Sequence, residues 1–171
     1  IASCLVGSEM CIRDRYTTKV IIQKNHSMIT SAKTSTSEMI KVEQKLSVQC
    51  KTFAVDSSAI RSLDWDRSRF DIEFGLRNGT TYNSFIIKGQ KLAIIDTSHS
   101  KFEKLWIDQL LKEVNPQDID YLISSHTEPD HSGLIGNLIS LNKNITVVGS
   151  KLALKFIEDQ IHVPFKRLEV K

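Results

Sequence analysis

The ten residues Ser124-Ser125-His126-Thr127-Glu128-Pro129-Asp130-His131-Ser132-Gly133 put two imidazoles and two carboxylates within six positions, a density of metal-capable side chains that no other stretch matches. The run before them, Ile119-Asp120-Tyr121-Leu122-Ile123, is apolar, aromatic and β-branched and follows the breaker Asn115-Pro116. It predicts a buried strand with the ligand cluster at its end. In extended chain, side chains two apart share a face, so His126 and Glu128 can address one ion. Pro129 fixes its own φ and turns the chain, which lets Asp130 and His131 reach a second ion beside the first. Gly133 lets the backbone leave tightly, and Leu134, Ile135, Leu138 and Ile139 then predict a helix.

A lone His or Asp in a loop is ordinarily a solvated polar residue. Four possible ligands at one strand end, split two and two by a proline, predict a two-metal pattern, H-x-E-x-D-H. Glu128 makes the set harder and more anionic than an all-imidazole one. That favours iron or manganese and stabilises the more highly charged oxidised state, although zinc tolerates the same donors.

This segment resembles the first metal-binding motif of the metallo-β-lactamase fold, in the variant carried by the flavodiiron proteins, or A-type flavoproteins. Hydrolases of that fold usually place His where this chain has Glu128. The resemblance continues through Arg61-Ser62-Leu63-Asp64-Trp65-Asp66, Phe70 to Arg77, Gly79-Thr80-Thr81-Tyr82-Asn83-Ser84 and Ile95-Asp96-Thr97-Ser98-His99, and it is strongest with the branch from oxygenic phototrophs. It covers most of Cys50 to Lys171.

The resemblance implies that His126 and Glu128 serve one iron and Asp130 and His131 the other. It implies further ligands beyond residue 171 and an FMN-bearing flavodoxin-like domain downstream, so the sequence is expected to be a fragment. In many members from anaerobes a His precedes Gly-Thr-Thr-Tyr-Asn; here that place is Asn78, which removes one possible proton donor. The implied activity is reduction of dioxygen to water, or of nitric oxide to nitrous oxide, with a flavin or NAD(P)H donor and a head-to-tail homo- or hetero-oligomer. Two other readings stand beside it: a binuclear zinc hydrolase of the same fold, and a non-catalytic partner subunit.

The expected fold is α+β, the first half of a metallo-β-lactamase-like αβ/βα sandwich, with residues 46–171 as the truncated N-terminal part of a di-iron domain. Residues 1–15, containing Leu5-Val6-Gly7-Ser8-Glu9-Met10-Cys11-Ile12-Arg13-Asp14, resemble an in-frame translation of a sequencing adapter and are set aside as an artefact. A secretory signal does not fit, because Glu9, Arg13 and Asp14 interrupt a short apolar part.

With Cys4 and Cys11 set aside, Cys50 is the one remaining thiol, which predicts no internal disulfide and a reducing, cytoplasmic setting. Residues 16–45 are expected to be a flexible basic arm, rich in Ser and Thr. From Tyr16 to Lys51 six Lys face Glu38 and Glu43; with a total of +3, residues 52–171 carry −1. The basic balance therefore belongs to the arm and implies no nucleic-acid partner. No apolar run of ~18 residues predicts a membrane span.

Strands are expected from about Leu46 to Asp96. Leu46 to Cys50 and Phe70-Asp71-Ile72-Glu73-Phe74 both alternate, Asn78-Gly79 signals a turn, and Lys88-Gly89-Gln90 predicts a hairpin between Phe85-Ile86-Ile87 and Leu92 to Ile95. Asp96 reads as a structural acceptor. Ser100-Lys101-Phe102-Glu103 reads as a capping box for a helix whose inner stripe is Phe102, Leu105, Trp106, Leu110 and Val114. Trp106 on that stripe is core. A strand at Ile145 to Val148 and a helix near Ser150 to Ile161, with Leu152, Phe156 and Ile157 inward, complete the pattern. His26, His99 and His162 are not assigned to metal, and His99 is given a surface role.

Overall fold

Two-residue alternation of burial marks much of the strand-rich first part, which pairs antiparallel in the computed structural model describing residues 45–70 and 74–171. The strands are β1 (Leu46–Ala54), β2 (Ser57–Asp64), β3 (Arg69–Phe70), β4 (Phe74–Gly75), β5 (Thr80–Lys88), β6 (Leu92–Ile95), β7 (Ile119–Ile123), β8 (Thr146–Gly149) and β9 (Lys166–Glu169). The helices are α1 (Glu103–Glu113), α2 (Pro129–Ser132), α3 (Ile135–Leu141) and α4 (Lys151–Ile161). Seven strands form one sheet in the order β1-β2-β5-β6-β7-β8-β9. Pairing is antiparallel from β1 to β6 and parallel from β6 to β9. The switch falls where the sequence passes from hairpins to strand–helix alternation, because a parallel partner needs a crossover and α1, α3 and α4 supply it. This is the expected α+β fold.

One face of the sheet carries the core. Ile60, Tyr82, Ile86, Ile94, Leu122 and Val147 all point to it and are buried. Onto them pack Phe102, Trp106 and Leu110 at four-residue intervals along the first helical segment, each fully buried, with Ile135, Leu138 and Ile157 from the later helices. Buried polar groups here are paired: the Trp106 Nε1 donates to Ser84 Oγ at 2.8 Å and the Ser98 hydroxyl to Ser62 Oγ at 2.8 Å. Burial first, and a hydrogen bond with Glu113 second, push the Cys50 thiol up to about 11, so it stays protonated at neutral pH.

The opposite face is open. Phe85, Ile87, Ile95, Ile123 and Val148 are only half-buried there, and Phe53 stands 58% exposed in an edge-to-face contact with Phe85. On the same face, at the β2 position opposite Asn83, Arg61 holds a buried Nε without a hydrogen-bond partner. A continuous apolar sheet face of this kind is expected to associate or to bind an apolar dye. The chain alone should therefore bind anilinonaphthalene sulfonate strongly and sediment as more than a monomer; a monodisperse, dye-silent monomer would contradict that.

Several local expectations are corrected. Phe70 and Phe74 do not lie on one strand: β3 and β4 pair antiparallel with Phe70 opposite Phe74. Residues 71–73 lie outside the described residues, as do the adapter-like residues 1–15, the arm up to residue 44, and His26, Cys4 and Cys11. Leu105 is 40% exposed, and on α4 Ile157 turns inward as expected but with Leu154 beside it, while Leu152 and Phe156 are 59% and 45% exposed. The inward arc of α4 is set by its crossover onto β8, whose Val147 meets Leu154 and Ile157 in the core, and a short helix with apolar residues on more than one side offers two such arcs. β9, four exposed residues reading Lys-Arg-Leu-Glu, carried no apolar signal and joins the sheet as a charged edge strand. Among the described residues, no helix is long and apolar enough to cross a membrane.

Candidate metal centre

The candidate site lies where β6 and β7 end at the parallel side of the sheet, in the loop after β7 and the short helix α2. β6 and β7 pair in register, Ile95 beside Ile123, so Asp96 and Ser124 leave the sheet together. Their backbones stay tied: Asp96 N donates to Ile123 O and Ser124 N to Val148 O, both at 2.9 Å.

Asp96 adopts a left-handed backbone, φ 54°. That conformation is unfavourable for a residue with a Cβ and tolerable for Asp, and it swings the carboxylate across the strand end towards the ligand loop. There Asp96 accepts from Ser125 N at 2.7 Å, from the Ser125 hydroxyl, and from His131 Nδ1 at 3.1 Å. A carboxylate only accepts, so in its neutral form His131 carries its proton on Nδ1 and presents Nε2 bare. Asp96 holds the His131 pKa above its ordinary value through that hydrogen bond, against a lowering by desolvation.

Pro129 opens α2 as its first residue, with Glu128 extended at φ −66°, ψ 151° before it. The extended-to-helical switch at Pro129 separates the two ligand pairs. His126 Nε2 and Glu128 Oε1 stand 3.2 Å apart, half-exposed at 51% and 60%. His131 Nε2 and Asp130 Oδ2 stand 3.7 Å apart and lie deeper, at 33% and 11%. The two imidazole rings are 5.2 Å apart, nearly perpendicular.

Metal ligands on bonds of ~2.0–2.2 Å are separated by about 3–3.5 Å. The first pair meets that spacing as it stands and the second needs only a small closing movement. Hard oxygen and imidazole donors in each pair suit an iron-type ion. Among the described residues no three His, Cys, Asp or Glu converge on one point. Each pair thus supplies two donors and leaves the rest of a coordination shell open.

The loop is gripped from β6 as well. Thr97 N and its hydroxyl both donate to His131 O, at 2.7 and 2.8 Å, and Thr97 Oγ1 accepts from Leu134 N. Gly133 sits in that grip: a Cβ there would stand 2.4 Å from Pro129 O and 2.9 Å from Ser98 O and Ser100 N. Its φ is −61°, so glycine is needed for close approach of backbone and not for a left-handed turn. Gly133→Ala is expected to cost about 1–3 kcal/mol, the scale of overpacking against atoms that cannot yield. Denaturant unfolding measures it; a change under a few tenths of a kcal/mol would contradict the close packing.

His99 has a different role from the one expected. Its Nδ1 accepts from Lys101 N at 3.2 Å and it caps the 3-10 turn Ser100–Phe102 ahead of α1, so the predicted capping box is not formed. Half-buried, with its ring 6.2 Å from that of Tyr82, it is held below its ordinary pKa by burial first and by Lys101 and Arg67 next. Beside it, Tyr82 donates to Asp64 Oδ2 at 3.1 Å and accepts from Arg67 at 2.6 Å, while Lys101 pairs with Asp64. Desolvation pushes the Tyr82 hydroxyl up to about 12, so it remains neutral in this network. His162 caps the end of α4 with φ 49°. Asp96 was legible in the sequence as a structural acceptor, whereas Ser125 and Thr97 were not, because their roles depend on contacts between distant segments.

The sequence model of the ODP family beta lactamase matches residues 80–169. A Nostoc sp. protein named as a diflavin flavoprotein (A 3) is 59% identical over 131 residues, 77% of this chain and 23% of that protein. Diflavin flavoprotein A 1 of Synechocystis sp. is 56% identical over 129 residues, 75% of this chain and 22% of that protein. Among solved structures, the metal-soaked Flv1 flavodiiron core from Synechocystis sp. superposes with a TM-score of 0.68 at 30% identity, covering 73% of this chain and 32% of that one. The chain therefore spans under a quarter of the length of these two curated relatives.

Proposed function

This chain belongs to the ODP family of beta-lactamase-like domains, and from that membership we propose that the full-length protein is a flavodiiron oxidoreductase, reducing dioxygen to water or nitric oxide to nitrous oxide. Dioxygen is the favoured substrate, because the flanks of the motif resemble the branch of the family from oxygenic phototrophs. The observation that carries the reading is the two-by-two donor arrangement, His126 with Glu128 and Asp130 with His131, on either side of the Pro129 turn.

In this reading His126 and Glu128 hold one iron and Asp130 and His131 the other, and the ligands that complete both shells come from outside these residues. Two ferrous ions held by these residues would supply electrons and charge stabilisation for a diatomic substrate, with an FMN elsewhere in the protein, and a flavin or NAD(P)H donor behind it, as the source of electrons. Asp96 fixes the tautomer and orientation of His131. Glu128 adds the negative charge that favours iron over zinc. A head-to-tail oligomer and a cytoplasmic setting belong to the same proposal.

The test is metal analysis of the full-length protein purified without oxygen, beside dioxygen and nitric oxide consumption with a reduced flavin. About two irons per chain and rapid consumption of either gas are expected. Two zinc ions, no iron and no gas consumption would replace this reading by that of a zinc hydrolase. Glu128→His is expected to raise zinc occupancy and lower reductase activity, since imidazole suits zinc and removes a charge that stabilises ferric iron. Unchanged iron content and activity in that variant would deny Glu128 its part in metal choice.

A further inference from the structure

We propose that Gln160, on α4, is a positioning residue for the ligand loop and sets the separation between the His126–Glu128 and Asp130–His131 pairs. Its consequence for metal binding rests on the two-metal reading above; its role as a strut does not.

The side chain spans the loop. Gln160 Nε2 donates to Thr127 O at 2.9 Å, and its Oε1 accepts from the Ser132 hydroxyl at 3.0 Å. Thr127 lies between the two ligands of the first pair and Ser132 follows the last ligand of the second. One amide thus reaches from inside one pair to the edge of the other. The Ser132 hydroxyl, on a residue only 2% exposed, also lies 3.0 Å from Thr127 O and from Glu128 O. A hydroxyl has one proton for these three acceptors, so Thr127 O depends on the Gln160 N–H for a full partner.

The anchor is rigid. Leu154 and Ile157 fix α4 in the core, Ser150 caps its start through Ala153 N at 3.2 Å, and His162 closes its end. Asp96 and Thr97 hold the loop from β6 on one side of β7; Gln160 holds it from α4, which follows β8 on the other. Gln160 itself is exposed. Its loss removes little buried surface, so an effect on the loop would not be a by-product of general destabilisation.

The chemistry requires an amide. Glutamate keeps an acceptor for Ser132 but has no donor for Thr127 O, and alanine keeps neither. In the full-length protein, Gln160→Ala and Gln160→Glu should both speed amide hydrogen exchange in the peptide covering residues 125–133, with the metal removed and the melting temperature moved by no more than about 2–4 °C. In anaerobic ferrous-ion titrations the second ion should bind roughly 10–100-fold more weakly while the first is retained, the scale on which supporting contacts act. Unchanged loop exchange in both variants would overturn the proposal whatever the metal result. Faster exchange with unaltered binding of two ions would overturn its metal consequence. Faster exchange in a protein whose wild type binds fewer than two ions would support the strut and overturn the two-metal reading instead.

Discussion

Asp130→Ala in the full-length protein is expected to remove one of the two metal ions and to lower gas reduction by more than the roughly 10–100-fold that loss of a supporting contact costs. The reason is the pairing of donors. Asp130 Oδ2 is the oxygen placed beside His131 Nε2, and no third His, Cys, Asp or Glu among the described residues can take its place. Its side chain is 11% exposed, so water reaches the vacated position poorly. His126 and Glu128 lie across the Pro129 turn and are untouched, so the first ion should remain. On the proposed two-iron reading, a reaction that draws electrons from two ions should then fail although half the metal is bound. Metal content per chain, gas uptake and a melting curve measured on one preparation separate this from misfolding. Two ions and undiminished turnover in the variant would remove Asp130 from the site.

Trp106→Ala is expected to destabilise the chain by about 3–5 kcal/mol through the lost side chain, with about 1–3 kcal/mol more for a stranded partner. Trp106 is fully buried in the cluster of Phe102, Leu110 and Ile86, and its Nε1 is the donor to Ser84 Oγ at 2.8 Å. Domains of this kind have only about 5–15 kcal/mol in hand, so the variant should melt roughly 10 °C or more below the parent or fail to fold. Trp106→Phe keeps most of the volume and loses the hydrogen bond, and should fall between the two. Circular dichroism melts measure all three. A Trp106→Ala melt within ~2 °C of the parent would mean that α1 does not anchor this sheet face.

Much of the site was legible because its determinants are local. Ligand spacing, the Pro129 turn and the strand before the motif all follow from stereochemistry acting over a few residues, and the structure has β7 at Ile119–Ile123 and α2 starting at Pro129. The stripe Phe102, Trp106, Leu110 was legible for the same reason, since four-residue spacing needs no knowledge of the partner.

What sequence could not reach depends on which segments meet. Asp96 bonds His131 from 35 positions away and Gln160 reaches Thr127 from 33, and both contacts exist only because β6, β7 and β8 lie side by side in parallel. Whether Leu152 and Phe156 or Leu154 faced inward beside Ile157 was decided by the crossover that lays α4 on the sheet. The cap of the first helical segment went to His99 because the grip of Thr97 and Gly133 set the path of that loop, leaving the predicted Ser100 one position too late. By itself the sequence determined an α+β chain with paired metal-type donors where a strand ends, since periodicity, proline geometry and donor chemistry are properties of neighbours. Only the tertiary structure decided what holds the two pairs in place, because Asp96, Thr97 and Gln160 reach the loop through pairing and packing of segments remote in the chain.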